Sequence, residues 1–62
     1  MSWIQYEVWG VLDGREEVID TTPSLKEAEL LAAGELDLWD EVIIYEDKDG
    51  DELVEVRRLQ GL

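Results

Sequence analysis

The sequence predicts an α+β domain of order ββαββ, in which one helix packs on one face of a four-stranded antiparallel sheet made of two hairpins. Asp13-Gly14 and Asp49-Gly50 each lie between β-type residues, which is the strongest short-range signal for a hairpin. Between them, Ser24 followed three residues later by Glu27 is the pattern of a capping box, which begins a helix. A chain of 62 residues has room for a single domain, residues 1–62.

The first hairpin is predicted over about residues 3–20. A two-residue turn at Asp13-Gly14 places Trp9 opposite Val18 and Val8 opposite Ile19. The face with fewer charges is the natural core face. That face carries Ile4, Tyr6, Val8, Leu12 and Ile19, and the other face carries Trp3, Gln5, Glu7, Trp9, Val11, Glu16 and Val18.

The helix is predicted over about residues 25–35. Strong helix formers run from Leu25 to Ala33 and the helix ends there or near Leu36, with Gly34 expected just past the nearer end. Leu30 points away from the sheet. The stripe that faces the sheet consists of Leu25, Ala28, Leu31 and Ala32.

The second hairpin is predicted over about residues 40–59. A two-residue turn at Asp49-Gly50 places Tyr45 opposite Val54, Ile43 opposite Val56 and Glu41 opposite Arg58. These four apolar residues would complete the core face, and the opposite face would hold Val42, Ile44, Glu46, Leu53, Glu55 and Arg57. A longer, bulged loop would shift this pairing by one residue and invert the faces of one strand.

Composition excludes several classes of function. The absence of Cys and His removes zinc fingers, disulfide scaffolds, thiol nucleophiles and histidine-based catalysis. We expect no catalytic residues, no cofactor and no metal. The acidic segment from Asp47 to Glu52 is dense in calcium-type ligands, but Glu52 stands where an EF-hand requires Gly. A charged turn is the simpler interpretation, and a calcium-responsive module is the weakest alternative.

The predicted location is the cytoplasm, or the host cytoplasm if a phage encodes the chain. The first residues lack the basic start and apolar run of a signal peptide, and no apolar run is long enough to span a membrane. With 17 acids against 5 bases, the formal net charge is −12. Direct binding to nucleic acid or to an anionic membrane is therefore disfavoured.

The acids are the most unusual feature of the sequence. Residues 35–52 hold nine of the 17, and a second group lies on the first hairpin. Carboxylates two apart on a strand lie roughly 6.6–6.8 Å apart, which is of the order of the phosphate spacing in a nucleic-acid strand. The alternative is a solvated surface, but a charge magnitude of about 2–8 suffices for the solubility of a small domain.

The predicted function is a small acidic, non-enzymatic inhibitor that mimics the phosphate backbone and blocks the basic groove of a nucleic-acid-binding enzyme. In class, though without a diagnostic motif, it resembles phage-encoded inhibitors of restriction, CRISPR or DNA-repair enzymes. Trp9 is expected to anchor the interface, whereas Trp39 caps the edge of the core. The predicted partner-binding residues are Glu7, Trp9, Glu16, Glu46, Asp47, Asp49, Asp51 and Glu52. The alternative is a structural or adaptor module, possibly a homodimer through an open sheet face or an edge strand.

Overall fold

The computed structural model describes residues 4–50 and 52–61, and it confirms the α+β fold class with the order ββαββ. Trp3 and Asp51, both named above, lie outside the described residues. The elements are strand β1 (Ile4–Leu12), strand β2 (Arg15–Thr22), helix α1 (Leu25–Glu35), strand β3 (Glu41–Lys48) and strand β4 (Glu52–Gln60). They form one antiparallel sheet in the order β2-β1-β3-β4, so β2 and β4 are the edges.

The first hairpin forms with the predicted turn and a nearly correct register. Asp13 and Gly14 have positive φ values of 53° and 80°, as a tight two-residue turn requires. Trp9 pairs with Val18 as predicted. Val8, however, pairs with Asp20 rather than with Ile19, because Ile19 is the extra residue of a β-bulge.

The second hairpin differs from its predicted register in two ways. Asp49 and Gly50 take the expected positive φ, but pairing resumes at Lys48 with Glu52, so the loop is one residue longer than the two-residue turn. A bulge at Val56 then adds a second shift. The observed partners are Glu55 for Tyr45, Arg58 for Ile43 and Gln60 for Glu41, in place of Val54, Val56 and Arg58.

These shifts invert the predicted faces of β3. Ile43 and Tyr45 were expected in the core beneath the helix, but they lie on the opposite face. Val54 and Val56 were also expected in the core and are 48% and 42% exposed. The fully buried core consists instead of Val8, Ala28, Ala32, Val42 and Ile44.

Helix α1 packs over β1, β3 and β2. The Ser24 side chain accepts a hydrogen bond from the Glu27 amide at 3.3 Å, which is the predicted N-cap. Ala28 and Ala32 are fully buried, and their small side chains bring the helix close to the sheet. Gly34 lies inside the last turn rather than past the helix end.

Three residues at the ends of their elements were predicted in the core but are not buried. Ile4, Leu12 and Leu25 are exposed, because they lie at the ends of their elements, where the helix and sheet no longer cover them. Leu30 points into solvent, as predicted.

Trp39 closes one end of the core, as predicted. Its indole lies directly on Gly10 of β1, where a Cβ atom would overlap the ring. Its Nε1 donates to the Glu35 carboxylate at 3.4 Å. The absence of a side chain at Gly10 therefore makes the space that Trp39 occupies.

In the part of the chain that the structure describes, no helix is long and apolar enough to cross a membrane.

Candidate protein-binding face

The sheet has two faces, because strand residues alternate in direction. We call the face packed against α1 the helix side and the other the open face. Strand pairing assigns the open face to Gln5, Glu7, Trp9, Val11, Glu16, Val18, Thr21, Glu41, Ile43, Tyr45, Asp47, Leu53, Glu55, Arg58 and Gln60. Over residues 4–50 and 52–61, no helix or strand packs across this face.

An aromatic pair forms the centre of the open face. The rings of Trp9 and Tyr45 meet edge to face, with their centroids 6.1 Å apart and an angle of 84° between their planes. Ile43 pairs with Trp9 on one side and Arg58 on the other and is only 2% exposed. The open face therefore holds a small apolar cluster of its own.

Two carboxylates fix the orientation of the aromatic rings. Trp9 Nε1 donates to Glu7 Oε1 at 3.0 Å. The Tyr45 hydroxyl donates to Glu16 Oε1 at 3.4 Å, and since β1 lies between β3 and β2, the phenol spans β1 to reach it. Both aromatic side chains are thus held in place before any partner arrives.

A shallow pocket of about 250 Å³ lies beside the aromatic pair and is lined by Trp9, Glu16, Tyr45 and Leu53. Leu53, on β4, and Val18, next to Trp9 on β2, are both exposed large apolar residues. The pocket therefore combines two aromatic rings, an aliphatic side chain and one carboxylate.

The charges on the open face are asymmetric. Among the acids that the structure describes, five lie there, namely Glu7, Glu16, Glu41, Asp47 and Glu55. Arg58 is the one base on this face, and the structure describes all five bases of the chain. The other four, Arg15, Lys26, Lys48 and Arg57, lie on the helix side or on α1 itself.

Arg58 forms ion pairs with two of these acids. Its guanidinium contacts Glu41 at 2.7 Å and Glu55 at 2.8 Å. These hydrogen bonds lower the pKa of both carboxyls below the ordinary value of 4.5 and raise the pKa of Arg58. Partial burial first, and then the nearby Glu16 carboxylate, raise the pKa of Tyr45. The open face is therefore negative around its aromatic centre.

The predicted partner-binding residues do not share one surface. Glu7, Trp9, Glu16 and Asp47 lie on the open face, with Asp47 only 8% exposed. Glu46 and Glu52 lie on the helix side, Asp49 lies in the turn, and Asp51 is outside the described residues. The acids are thus divided between two faces.

The sequence pattern predicted Tyr45 and Ile43 for the core face, whereas they belong to the open face. Leu53 and Glu55 were predicted on the open face without a role in binding. Strand register was the missing information, since the pairing of β3 decides which of its apolar residues point outward.

The acids on the open face surround the apolar centre instead of forming a ladder. Over residues 4–50 and 52–61, no strand carries acids at two successive positions of this face. Among the residues that the structure describes, no three acids are close enough together to hold a metal ion.

No protein-family model, curated protein or solved structure matches this chain.

Proposed function

We propose that the protein is a non-enzymatic inhibitor that docks its open face on a basic groove of a nucleic-acid-binding protein and so excludes the nucleic acid. The observation that carries the proposal is the charge asymmetry of the open face. Five acids surround an aromatic centre, and the one base there is held between two of them. Such a face repels other acidic surfaces and attracts basic ones.

The acids and the aromatic residues contribute differently to this binding. Acids at the rim of an interface steer association and raise the on-rate. Trp and Tyr in a central patch are the side chains that most often supply binding energy. Trp9 and Tyr45 lie at the centre, and Glu7 and Glu16 hold them by hydrogen bonds.

The resemblance to nucleic acid is one of charge sign and not of regular spacing. A strand with acids at successive positions would mimic a row of phosphates, but the open face has acids in a ring around apolar side chains. The partner we propose therefore has basic residues around an apolar or stacking surface, as grooves that bind unpaired bases do.

The test compares two neighbouring acids on opposite faces of β2. Glu16 lies on the open face and Glu17, opposite Gly10, lies on the helix side; both are exposed. Tagged parent, Glu16→Lys and Glu17→Lys proteins are used to capture partners from a bacterial lysate at low salt. We expect a nucleic-acid-binding protein to be retained by the parent and by Glu17→Lys, to be lost with Glu16→Lys and to be displaced by added single-stranded nucleic acid.

A competition experiment with the purified partner then tests whether the protein inhibits nucleic-acid binding. Its binding to a labelled nucleic acid should fall as the parent protein is added, and Glu16→Lys should inhibit far less than Glu17→Lys. Equal inhibition by the two variants, or an intact partner–nucleic acid complex in saturating parent protein, would refute the proposal.

A second candidate is a homodimer formed through the open face, which the exposed Val18 and Leu53 favour. Two copies would bring their acids together, so this dimer needs salt to form. Sedimentation at low and at high salt distinguishes the candidates, since the inhibitor is expected to remain monomeric in both.

A further inference from the structure

The pocket beside Trp9 has the chemistry of a site for a cationic side chain. Aromatic faces attract cations through their ring quadrupole, most strongly for Trp. A carboxylate at the edge of such a pocket adds a charged hydrogen-bond acceptor. Here Trp9 and Tyr45 supply the rings and Glu16 the carboxylate, in a pocket of about 250 Å³.

We propose that this pocket binds one arginine side chain of the partner, stacked against the aromatic pair and hydrogen-bonded to Glu16. The inference rests on the proposed function, because it names the group by which a basic partner is recognised. Leu53 would contact the aliphatic part of the arginine, whose stem is apolar.

Glu16 keeps acceptor capacity for a guanidinium. A carboxylate offers about four acceptor sites, and the Tyr45 hydroxyl occupies one of them through Oε1. The planar guanidinium donates in a fork that matches a carboxylate, stacks on aromatic rings and is less strongly hydrated than an ammonium group. These properties favour arginine over lysine.

The protein does not fill this pocket with a cation of its own. Among the described residues, which include all five bases, the lining consists of Trp9, Glu16, Tyr45 and Leu53 and contains no base. Arg58, the base on the same face, is engaged by Glu41 and Glu55.

The pocket is also ordered in advance. Glu7 holds the indole and Glu16 holds the phenol, so few rotamers remain to be fixed on binding. Preorganisation of this kind reduces the entropic cost of association.

The test is a titration of the whole protein with three small probes, followed by two-dimensional NMR. The probes are Nα-acetyl-arginine amide, the lysine equivalent and the citrulline equivalent, which has nearly the shape of arginine without its charge. We expect the arginine probe to shift the Trp9 indole N–H and the backbone amides of Glu16, Tyr45 and Leu53. The lysine probe should bind more weakly, and the citrulline probe should leave these signals unchanged.

Two variants provide a matched pair. Glu16→Gln should lower the affinity for the arginine probe roughly 2- to 5-fold, the range expected for an exposed charge pair. Glu17→Gln removes the same charge from the helix side and should leave the affinity unchanged. Equal weakening by both variants, equal shifts from citrulline and arginine, or shifts spread over the helix-side acids would overturn the proposal. Unchanged spectra of the free variants verify that both are folded.

The outcomes separate this inference from the function on which it rests. If Glu16→Lys abolishes partner capture but the arginine probe does not bind, the inhibitor function stands and the arginine pocket is wrong. If the probe binds at Trp9 and partner capture does not depend on Glu16, the pocket stands and the proposed function is wrong.

Discussion

The two faces of the sheet use the same strands for different purposes. Beneath α1, the centre of the helix side consists of small and medium apolar residues that are fully buried, with Gly10 providing space for an indole. The open face has larger aromatic residues that are half-buried and ringed by carboxylates. Adjacent residues such as Val8 and Trp9 therefore lie on different faces, Val8 in the packed interior and Trp9 in the half-buried centre of the open face.

Burial alone does not identify the core of so small a protein. Ile43 and Ile44 are both buried, at 2% and 0% exposure, yet only Ile44 lies beneath the helix. Substitutions on the two faces should therefore differ in size and in what they affect.

The largest effect is expected from Ile44→Ala. Removing a buried isoleucine side chain costs about 2–5 kcal/mol, a large part of the stability of a domain of this size. Urea unfolding followed by circular dichroism measures it, with Leu30→Ala as the exposed control. If the two variants unfold at the same urea concentration, the core has been assigned to the wrong face.

Gly10→Ala tests the contact between the sheet and Trp39. The new Cβ would overlap the indole, and such overpacking costs about 1–3 kcal/mol. In a Trp39→Leu background the same change should cost much less, since the obstructing ring is gone. A double-mutant cycle without coupling would show that the ring does not lie on Gly10.

Ile43→Ala tests whether the open face contributes to stability. We expect a loss of about 2 kcal/mol, the low end of the range for isoleucine, because solvent can enter from the open side and no closed cavity remains. The same urea measurement on this variant and on Ile44→Ala gives the contrast directly. A loss larger than that of Ile44→Ala would make the open face the true core.

Arg58→Met should give a smaller, pH-dependent effect. Arg58 depresses the pKa of Glu41 and Glu55, so the stability it provides is fully present above pH 4.5 and is lost as pH falls through their lowered pKa values. The gap in thermal midpoint between parent and variant should thus be constant near neutral pH and close in acid. Arg15→Met, which removes a base from the helix side, is the control. A gap that widens on acidification would contradict the assigned ion pairs.

Salt should have the smallest effect. Seventeen acids against five bases repel one another, and about 0.15 M salt shortens the screening length to about 8 Å. We expect the thermal midpoint to rise modestly between 0 and about 0.15 M NaCl. A steady fall would show that attractive pairs such as Arg57 with Glu29, at 2.6 Å, outweigh the repulsion.

Local chemistry predicted the order of elements, both turn positions and the N-cap at Ser24, because each depends on a few neighbouring residues. The register of the second hairpin escaped prediction for a physical reason. Val42, Ile43, Ile44 and Tyr45 form a continuous apolar run, so alternation cannot tell which pair points inward. The pairing of Ile44 with Val8 and of Ile43 with Trp9 decides it, and these partners are far apart in the chain.

The candidate site was predicted only in part, again because the register of the second hairpin was predicted wrongly. Trp9, Glu7 and Glu16 belong to the first hairpin, where the turn gave the correct faces. Tyr45, which completes the pocket, belongs to the strand whose faces were inverted, and its contact with Glu16 crosses an intervening strand. A contact between residues 29 positions apart in sequence has no local signature.

The bulges at Ile19 and Val56 have a consequence for behaviour at high concentration. Each lies on an edge strand, whereas the central strands β1 and β3 pair with each other without interruption. A regular edge would offer its unpaired backbone groups as a template on which further chains could add, and a bulge twists and interrupts that template. The two bulges should therefore hinder the addition of further chains at both edges of the sheet, without a helix that covers either edge.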